Sequence, residues 1–235
     1  MKKVFYIAHS GFAIETDQSV LLFDYVEGVL PKLSKSKPWY VFVSHAHGDH
    51  YSQKIFTLKK KEEQIMFLLS SDIAEDRVED EWKNHCIFTK PWEKIMVDGM
   101  WIETLKSTDE GVAFLVTLPD SKTIYHAGDL NDWFWEEEKP EWNRKMEETY
   151  DLILEKIKGR HVQIAFVPVD PRLGKHAYDG AEHFLAKVET DRLVPMHCWE
   201  DYSVIEGLER KVQQMGLECE IVKITGLGQE FCVEE

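Results

Sequence analysis

Short apolar runs set off by turn formers dominate the first half of the chain, and helical spacing enters only later. Val4–Ala8 and Phe12–Thr16 flank His9-Ser10-Gly11, which predicts a hairpin. Val20–Phe23 is a short apolar run ending at Asp24, and Pro38 feeds another at Trp39–Val43. The latter leads straight into Ser44-His45-Ala46-His47-Gly48-Asp49-His50. Residues 52–63 read as a polar helix and Ile65–Leu69 as a buried strand. Two hairpins follow. One turns at Asp98-Gly99 between Lys94–Val97 and Met100–Leu105, the other at Pro119-Asp120 between Val112–Leu118 and Thr123–His126.

Further on, Trp142, Met146, Tyr150, Ile153, Leu154 and Ile157 fall three and four apart, which predicts a helix within 136–158. Ile164–Val169 and Leu193–Met196 read as strands, with a helix over 178–189 between them. Val204, Ile205, Leu208, Val212 and Met215 mark one more amphipathic helix, and Cys219–Ile224 and Glu230–Val233 close the chain as strands. No linker, low-complexity stretch or short-period repeat interrupts this order. Two sheets packed face to face with helices outside would bury such a chain as one domain over 1–235.

Composition narrows the function classes. Eight Trp, eight Tyr and twelve Phe in 235 residues supply ample core material and exclude a disordered chain. Twenty-eight Lys and Arg against 43 Asp and Glu leave a net charge of −15, which argues against a protein that binds a nucleic-acid backbone. A nuclease working through metal ions is compatible with that charge. No apolar run approaches the roughly 18 residues of a membrane helix. Met1-Lys2-Lys3 precedes only a short apolar stretch, so no signal peptide is expected and the expected address is cytoplasmic. The four cysteines are scattered without a C-x-x-C, which suggests neither a disulfide framework nor a zinc knuckle. The expected partner is a small-molecule substrate, with no nucleic acid and no membrane.

The chemistry concentrates at His45, His47, Asp49 and His50. Three His and one Asp at such fixed places arise by chance in roughly one chain in a thousand of this composition. Residues two apart on an extended segment point the same way, so His45 and His47 can grip one ion. Gly48 is expected to permit an unusual backbone turn. Six residues cannot close a coordination sphere, so further ligands must come from distant strand ends. Imidazole and carboxylate donors suit zinc, iron or manganese.

His45-x-His47-x-Asp49-His50 after an apolar strand resembles the signature of the metallo-β-lactamase-fold superfamily of metal-dependent hydrolases. Asp24 matches the family's early Asp, which supports the metal loop without binding metal. Tyr125-His126-Ala127-Gly128-Asp129 matches the strand-end Gly-Asp whose carboxylate bridges two metals, and Val194-Pro195-Met196-His197 matches the late strand with its terminal His. The resemblance implies an α+β fold, a four-layer αβ/βα sandwich of two mixed sheets with outer helices. It implies a first metal on His45, His47 and a third His. It implies a second on Asp49, His50 and His197, with Asp129 between them. It also implies a water activated by Zn2+, Mn2+ or Fe that attacks an ester, lactone, amide or phosphoester, with Asp49 as the catalytic carboxylate. The short, cap-free layout looks most like the lactonase and phosphodiesterase-like branch that includes L-ascorbate-6-phosphate lactonase.

One departure stands out. The third His should fall just before Val112–Leu118, where the chain reads Lys106-Ser107-Thr108-Asp109-Glu110-Gly111. Asp109 is either a substitute ligand or a loop residue capping a turn. Without a replacement, nearer one tightly held ion than two is expected. Arg172, after the Ile164–Val169 run, either pairs with a carboxylate or phosphate of the substrate or pins its own loop by an ion pair. His9 and His126 are expected to be packed histidines rather than ligands, and Cys198 a small buried thiol. Trp133-Phe134-Trp135 either wall the pocket or anchor the next helix. The alternatives to a hydrolase are an iron-dependent redox protein and a non-catalytic member with an incomplete first site.

Overall fold

Fourteen strands and three α-helices are present among the described residues of this computed structural model, which are 3–58 and 64–232. They fall into two units, Met1–Lys90 with Thr225–Glu235, and Pro91–Ile224.

The first unit carries β1 (Lys3–Ala8), β2 (Gly11–Glu15), β3 (Val20–Phe23), β4 (Trp39–Val43), β5 (Ile65–Ser70), β6 (Cys86–Thr89) and, from the chain's end, β14 (Glu230–Phe231). Their order in the sheet is β14-β1-β2-β3-β4-β5-β6. β1, β2 and β3 pair antiparallel, whereas β3, β4, β5 and β6 run parallel. β3 and β4 are buried along their whole length, which is why they read as continuous apolar runs rather than alternating ones. One face of the sheet packs Val20, Leu22, Val41, Val43, Phe67 and Leu69 against Tyr51, Ile55 and Phe56.

The helix expected over 52–63 is a short 3-10 turn, Gln53–Thr57, with Ser52 as its cap. Its buried residues, Ile55 and Phe56, are adjacent rather than three or four apart, so one turn buries them. Residues 59–63 of that expectation, like Val233 of the last expected strand, lie outside the described residues. β6 was not anticipated; it is a four-residue, half-buried run.

The second unit carries β7 (Lys94–Val97), β8 (Met100–Lys106), β9 (Val112–Thr117), β10 (Thr123–His126), β11 (His161–Pro168), β12 (Glu189–Met196) and β13 (Glu220–Ile221), in the order β13-β12-β11-β10-β9-β8-β7. β7 to β10 form antiparallel pairs, and β10 to β13 run parallel. Parallel neighbours need crossovers, and the helices α1 (Pro140–Leu154), α2 (Asp179–Lys187) and α3 (Val204–Met215) supply them. Pro140 starts α1, and Gly216, with φ +69°, ends α3 in the left-handed conformation. The expected strand at Cys219–Ile224 shrinks to Glu220–Ile221. No helix among the described residues is long and apolar enough to cross a membrane.

Where α2 begins, Gly180 lies against the loop after β10. A Cβ there would fall on the Asn131 amide oxygen, 2.9 Å from Asn131 Cγ and 3.2 Å from the Asp132 backbone nitrogen. Gly to Ala in a helix ordinarily gains about 1 kcal/mol. Here Gly180→Ala is expected to lose about 1–3 kcal/mol through overpacking, read by chemical denaturation. Unchanged stability would mean that the Asn131 loop yields freely.

Asp132 beside it is buried, and that burial raises its carboxyl pKa to about 6. His183 at 3.4 Å and His176 oppose the shift; Glu147 and Asp179 add to it. The unfolded value is about 3.9, so the folded chain binds more protons between roughly pH 4 and 6. This group's contribution to stability therefore falls as pH rises through that window and stays low above it. The stability of Asp132→Asn relative to the parent should rise by about 2 kcal/mol from pH 4 to pH 7. A pH-independent difference in denaturation midpoints would contradict this.

Candidate metal centre

The strand directions dictate where chemistry can gather. In the first sheet the C-terminal ends of parallel β3, β4 and β5 share one edge, and Asp24, Ser44–His50 and Asp72 follow them. β2 is antiparallel to β3 with Phe12 opposite Phe23, so the His9 turn comes to the same edge. In the second sheet Asp129, Asp170 and His197 follow parallel β10, β11 and β12. β9 is antiparallel to β10 with Phe114 opposite His126, which brings Asp109 to that edge.

Asp24 is the fixed point of the first edge. It is 2% exposed, with a left-handed φ of +40°. Oδ1 accepts the Ser44 N–H at 2.8 Å; Oδ2 accepts the Ser44 hydroxyl at 2.6 Å and His50 Nδ1–H at 2.7 Å. Ser44 has one hydroxyl proton and gives it to the carboxylate, so Oγ accepts from His45 Nδ1 at 3.0 Å. Both imidazoles thus carry the proton on Nδ1 and the lone pair on Nε2, the tautomer a metal ligand needs.

His45 and His50 are fully buried with ring centroids 4.1 Å apart, and His47 is exposed with its ring 4.7 Å from that of His45. The Ala46 N–H donates to Asp72 at 2.8 Å, and Arg77 donates to the Ala46 carbonyl at 3.3 Å. The N–H groups of His50 and Tyr51 return to the His47 carbonyl at 3.1 and 2.8 Å, so one helical turn presents Asp49 and His50. Gly48 sits in that turn without a left-handed φ, and a Cβ there would meet open space.

His9, at φ +47°, places Nε2 3.5 Å from Asp49 Oδ2. Hydrogen bonding to His9 holds the Asp49 carboxyl well below the usual carboxylate range. Ligand atoms of His9, Asp49 and His50 lie within 4.8 Å of one another.

The second edge repeats this arrangement. Asp170 is fully buried, and its Oδ2 accepts His197 Nδ1–H at 3.0 Å and Trp199 Nε1–H at 3.2 Å. Hydrogen bonds from His197 and Arg172 hold its carboxyl well below the usual range, against the desolvation that would raise it. His197 Nε2 lies 3.6 Å from Asp129 Oδ1. A carboxylate oxygen of Asp109 is within 4.8 Å of one of Asp129. The Asp129 carbonyl accepts Trp133 Nε1–H at 2.9 Å, and Thr108 Oγ accepts the Asn131 N–H at 3.0 Å. His197, Trp199 and Glu200 have φ of +60°, +49° and +60°, a strain of about 1 kcal/mol each, and at His197 and Trp199 the contacts to Asp170 help to hold it.

Among the residues singled out from sequence, the first edge therefore gathers His45, His47, Asp49 and His50, and the second gathers Asp109, Asp129 and His197. Arg172 is engaged with the Asp170 carboxylate at 2.5 Å. His126 is fully buried, its Nδ1 accepting the Gly128 N–H at 3.2 Å. Burial pushes the Cys198 thiol up to about 12. Trp133 packs on Leu173 and Ala177 as a core anchor. Trp199 and Asp72 escaped the sequence reading, as did the anchoring roles of Asp170 and Ser44 and the pairing of His9 with Asp49. A signal for Asp170 was present: it directly follows an apolar strand, as Asp24 does.

The donors suit a metal. Imidazoles with their lone pair on Nε2, carboxylates and no thiolate match zinc, manganese or iron. The 3.6 Å between His197 Nε2 and Asp129 Oδ1 is near the roughly 3.4 Å that separates two ligands of one tetrahedral ion.

Comparisons with known proteins give the fold and the family. A UPF0173 metal-dependent hydrolase of Pyrococcus abyssi is 31% identical over 143 residues, spanning 55% of this chain and 62% of its own length. The chain spans about three fifths of the length of the curated relatives it matches. Igni18, a metallo hydrolase from Ignicoccus hospitalis, superposes with a TM-score of 0.66 at 18% identity over 100% of this chain and 99% of that one. CmlA, a diiron β-hydroxylase from Streptomyces venezuelae, does so with a TM-score of 0.68 at 12% identity over 99% of this chain and 54% of that one. Likeness at such identities shows the fold alone, here the α+β metallo-β-lactamase fold. Residues 3–144 match the model of the β-lactamase superfamily domain, a span that takes in His45–His50, Asp109 and Asp129. With more than half of its length matched in this way, the chain belongs to the β-lactamase superfamily.

Proposed function

We propose that the chain is a metal-dependent hydrolase acting on a small ester, lactone, amide or phosphoester. The observation that carries this reading is the matched pair of anchored histidines, His50 on Asp24 and His197 on Asp170, each with Nδ1 donating to a buried carboxylate. The name of the Pyrococcus relative points the same way. The diiron neighbour, alike in fold alone, adds no support to a redox reading.

In this reading, as the family resemblance implies, His45, His47 and Asp109 would hold one ion and Asp49, His50 and His197 another, and Asp129 would be a further ligand. The reading of 1–235 as a single domain goes with it. Zinc is the first choice of metal; manganese or iron would fit the same donors. When bound, the metal supplies a water that is nucleophilic at neutral pH and stabilises charge developing on the scissile group. Asp49, kept ionised beside His9, would orient the attacking water through a carboxylate oxygen. Asp109 stands where the family's third His is expected, and its nearness to Asp129 favours the substitute-ligand role over that of a turn cap. Two ions are therefore expected rather than one, the first held more weakly than by three histidines. The net charge of −15 favours small substrates over nucleic acid.

Elemental analysis of zinc-reconstituted protein, paired with a panel of a lactone, a thioester and a phosphodiester, tests this. The parent should hold two ions, Asp109→Ala one, and Asp109→His two. Asp49→Ala should lose at least about a hundredfold in turnover, and chelation should abolish turnover. Turnover that survives chelation would defeat the hydrolase reading. Equal metal content in the parent and Asp109→Ala would remove Asp109 from the ligand set.

A further inference from the structure

Arg172 is committed to one carboxylate. Its backbone N–H donates to Asp170 Oδ1 at 2.8 Å, Nε to both oxygens at 3.0 Å, and Nη2 to Oδ2 at 2.5 Å. The guanidinium lies 4.6 Å from the Trp199 ring centroid and 5.6 Å from that of Trp135. Trp199 in turn donates Nε1–H to the same Oδ2 that receives His197 Nδ1–H. Pro171 follows Asp170 directly and opens a 3-10 turn whose Leu173 N–H returns to the Asp170 carbonyl at 3.1 Å. The Asp170 carboxylate thus cannot rotate without breaking the guanidinium fork, the bond from the Arg172 backbone N–H and the indole contact.

We propose that Arg172 is a positioning residue for His197: its fork fixes the Asp170 carboxylate, and Asp170 fixes the imidazole's tautomer and direction. This rests on the reading of His197 as a metal ligand. The demand is for a guanidinium and not merely for a cation. A planar fork holds a carboxylate at two points and stacks on indoles, whereas an ammonium is a mobile point charge. The Arg172 side chain is 48% exposed, so its role is separable from core packing.

Cobalt titration of the metal-free protein, followed by visible absorbance, gives a readout apart from turnover. In Arg172→Lys and Arg172→Met the ion bound by His197 should be held about tenfold more weakly, in the range typical of lost outer partners. Its absorption band should be altered in protein that is still folded, with the thermal midpoint of the metal-free protein lowered more in Arg172→Met than in Arg172→Lys, because the buried Asp170 then loses its charged partner. Trp199→Phe, which removes one donor to Asp170 and keeps a stacking ring, should give a smaller change of the same kind. Parent-like affinity and band shape in either Arg172 variant would overturn the proposal. His197→Ala separates the two levels. If it loses one ion while the Arg172 variants bind with parent-like affinity and band shape, the positioning role alone fails. If it binds as the parent does, the ligand assignment fails, and this inference fails with it.

Discussion

A buried imidazole can act as a metal ligand only if one nitrogen keeps the proton and the other is left with its lone pair, and a strand-end carboxylate imposes that condition in each unit. Asp24 does so for His50 directly and for His45 through the Ser44 hydroxyl, with every distance between 2.6 and 3.0 Å. Asp170 does so for His197 at 3.0 Å. Burying a carboxylate is costly unless it is fully hydrogen-bonded. Both carboxylates meet that requirement through backbone N–H, hydroxyl, indole or guanidinium donors. The same bonds that make the buried charges tolerable also orient the histidines.

Sheet topology explains why such residues sit together. Each sheet switches from antiparallel to parallel pairing partway across, and its parallel strands release their chains at one edge. Loops leaving the carboxyl ends of parallel strands are where open sheets place ligand chemistry. The antiparallel neighbour then adds the turn or loop at its own start: His9 before β2 and the Asp109 loop before β9. Left-handed backbone at His9, Asp24 and His197 marks the same edges. Strain of this kind persists only where the surroundings over-determine it.

Much of this was legible in the order of residues. The apolar runs located most strands to within one to three residues, the three- and four-residue spacings located α1 and α3, and the helix read over 178–189 is α2. His45, His47, Asp49 and His50 stood out because four donors lie within six positions. The four-residue β6 and the 3-10 turn at Gln53–Thr57 were not legible, because a run that short carries no period to read.

Periodicity and donor clustering are properties of neighbours along the chain, so the sequence alone determined the elements, the family resemblance and the dense histidine motif. Tertiary structure decided which carboxylate holds which imidazole. Asp24 and His50 are 26 positions apart, Asp170 and His197 are 27, and each pair meets only through the register of parallel strands. It likewise decided that Arg172 is tied to Asp170 and that His9 stands beside Asp49. Strand order and register are set by non-local burial of apolar faces, which no local pattern of residues encodes.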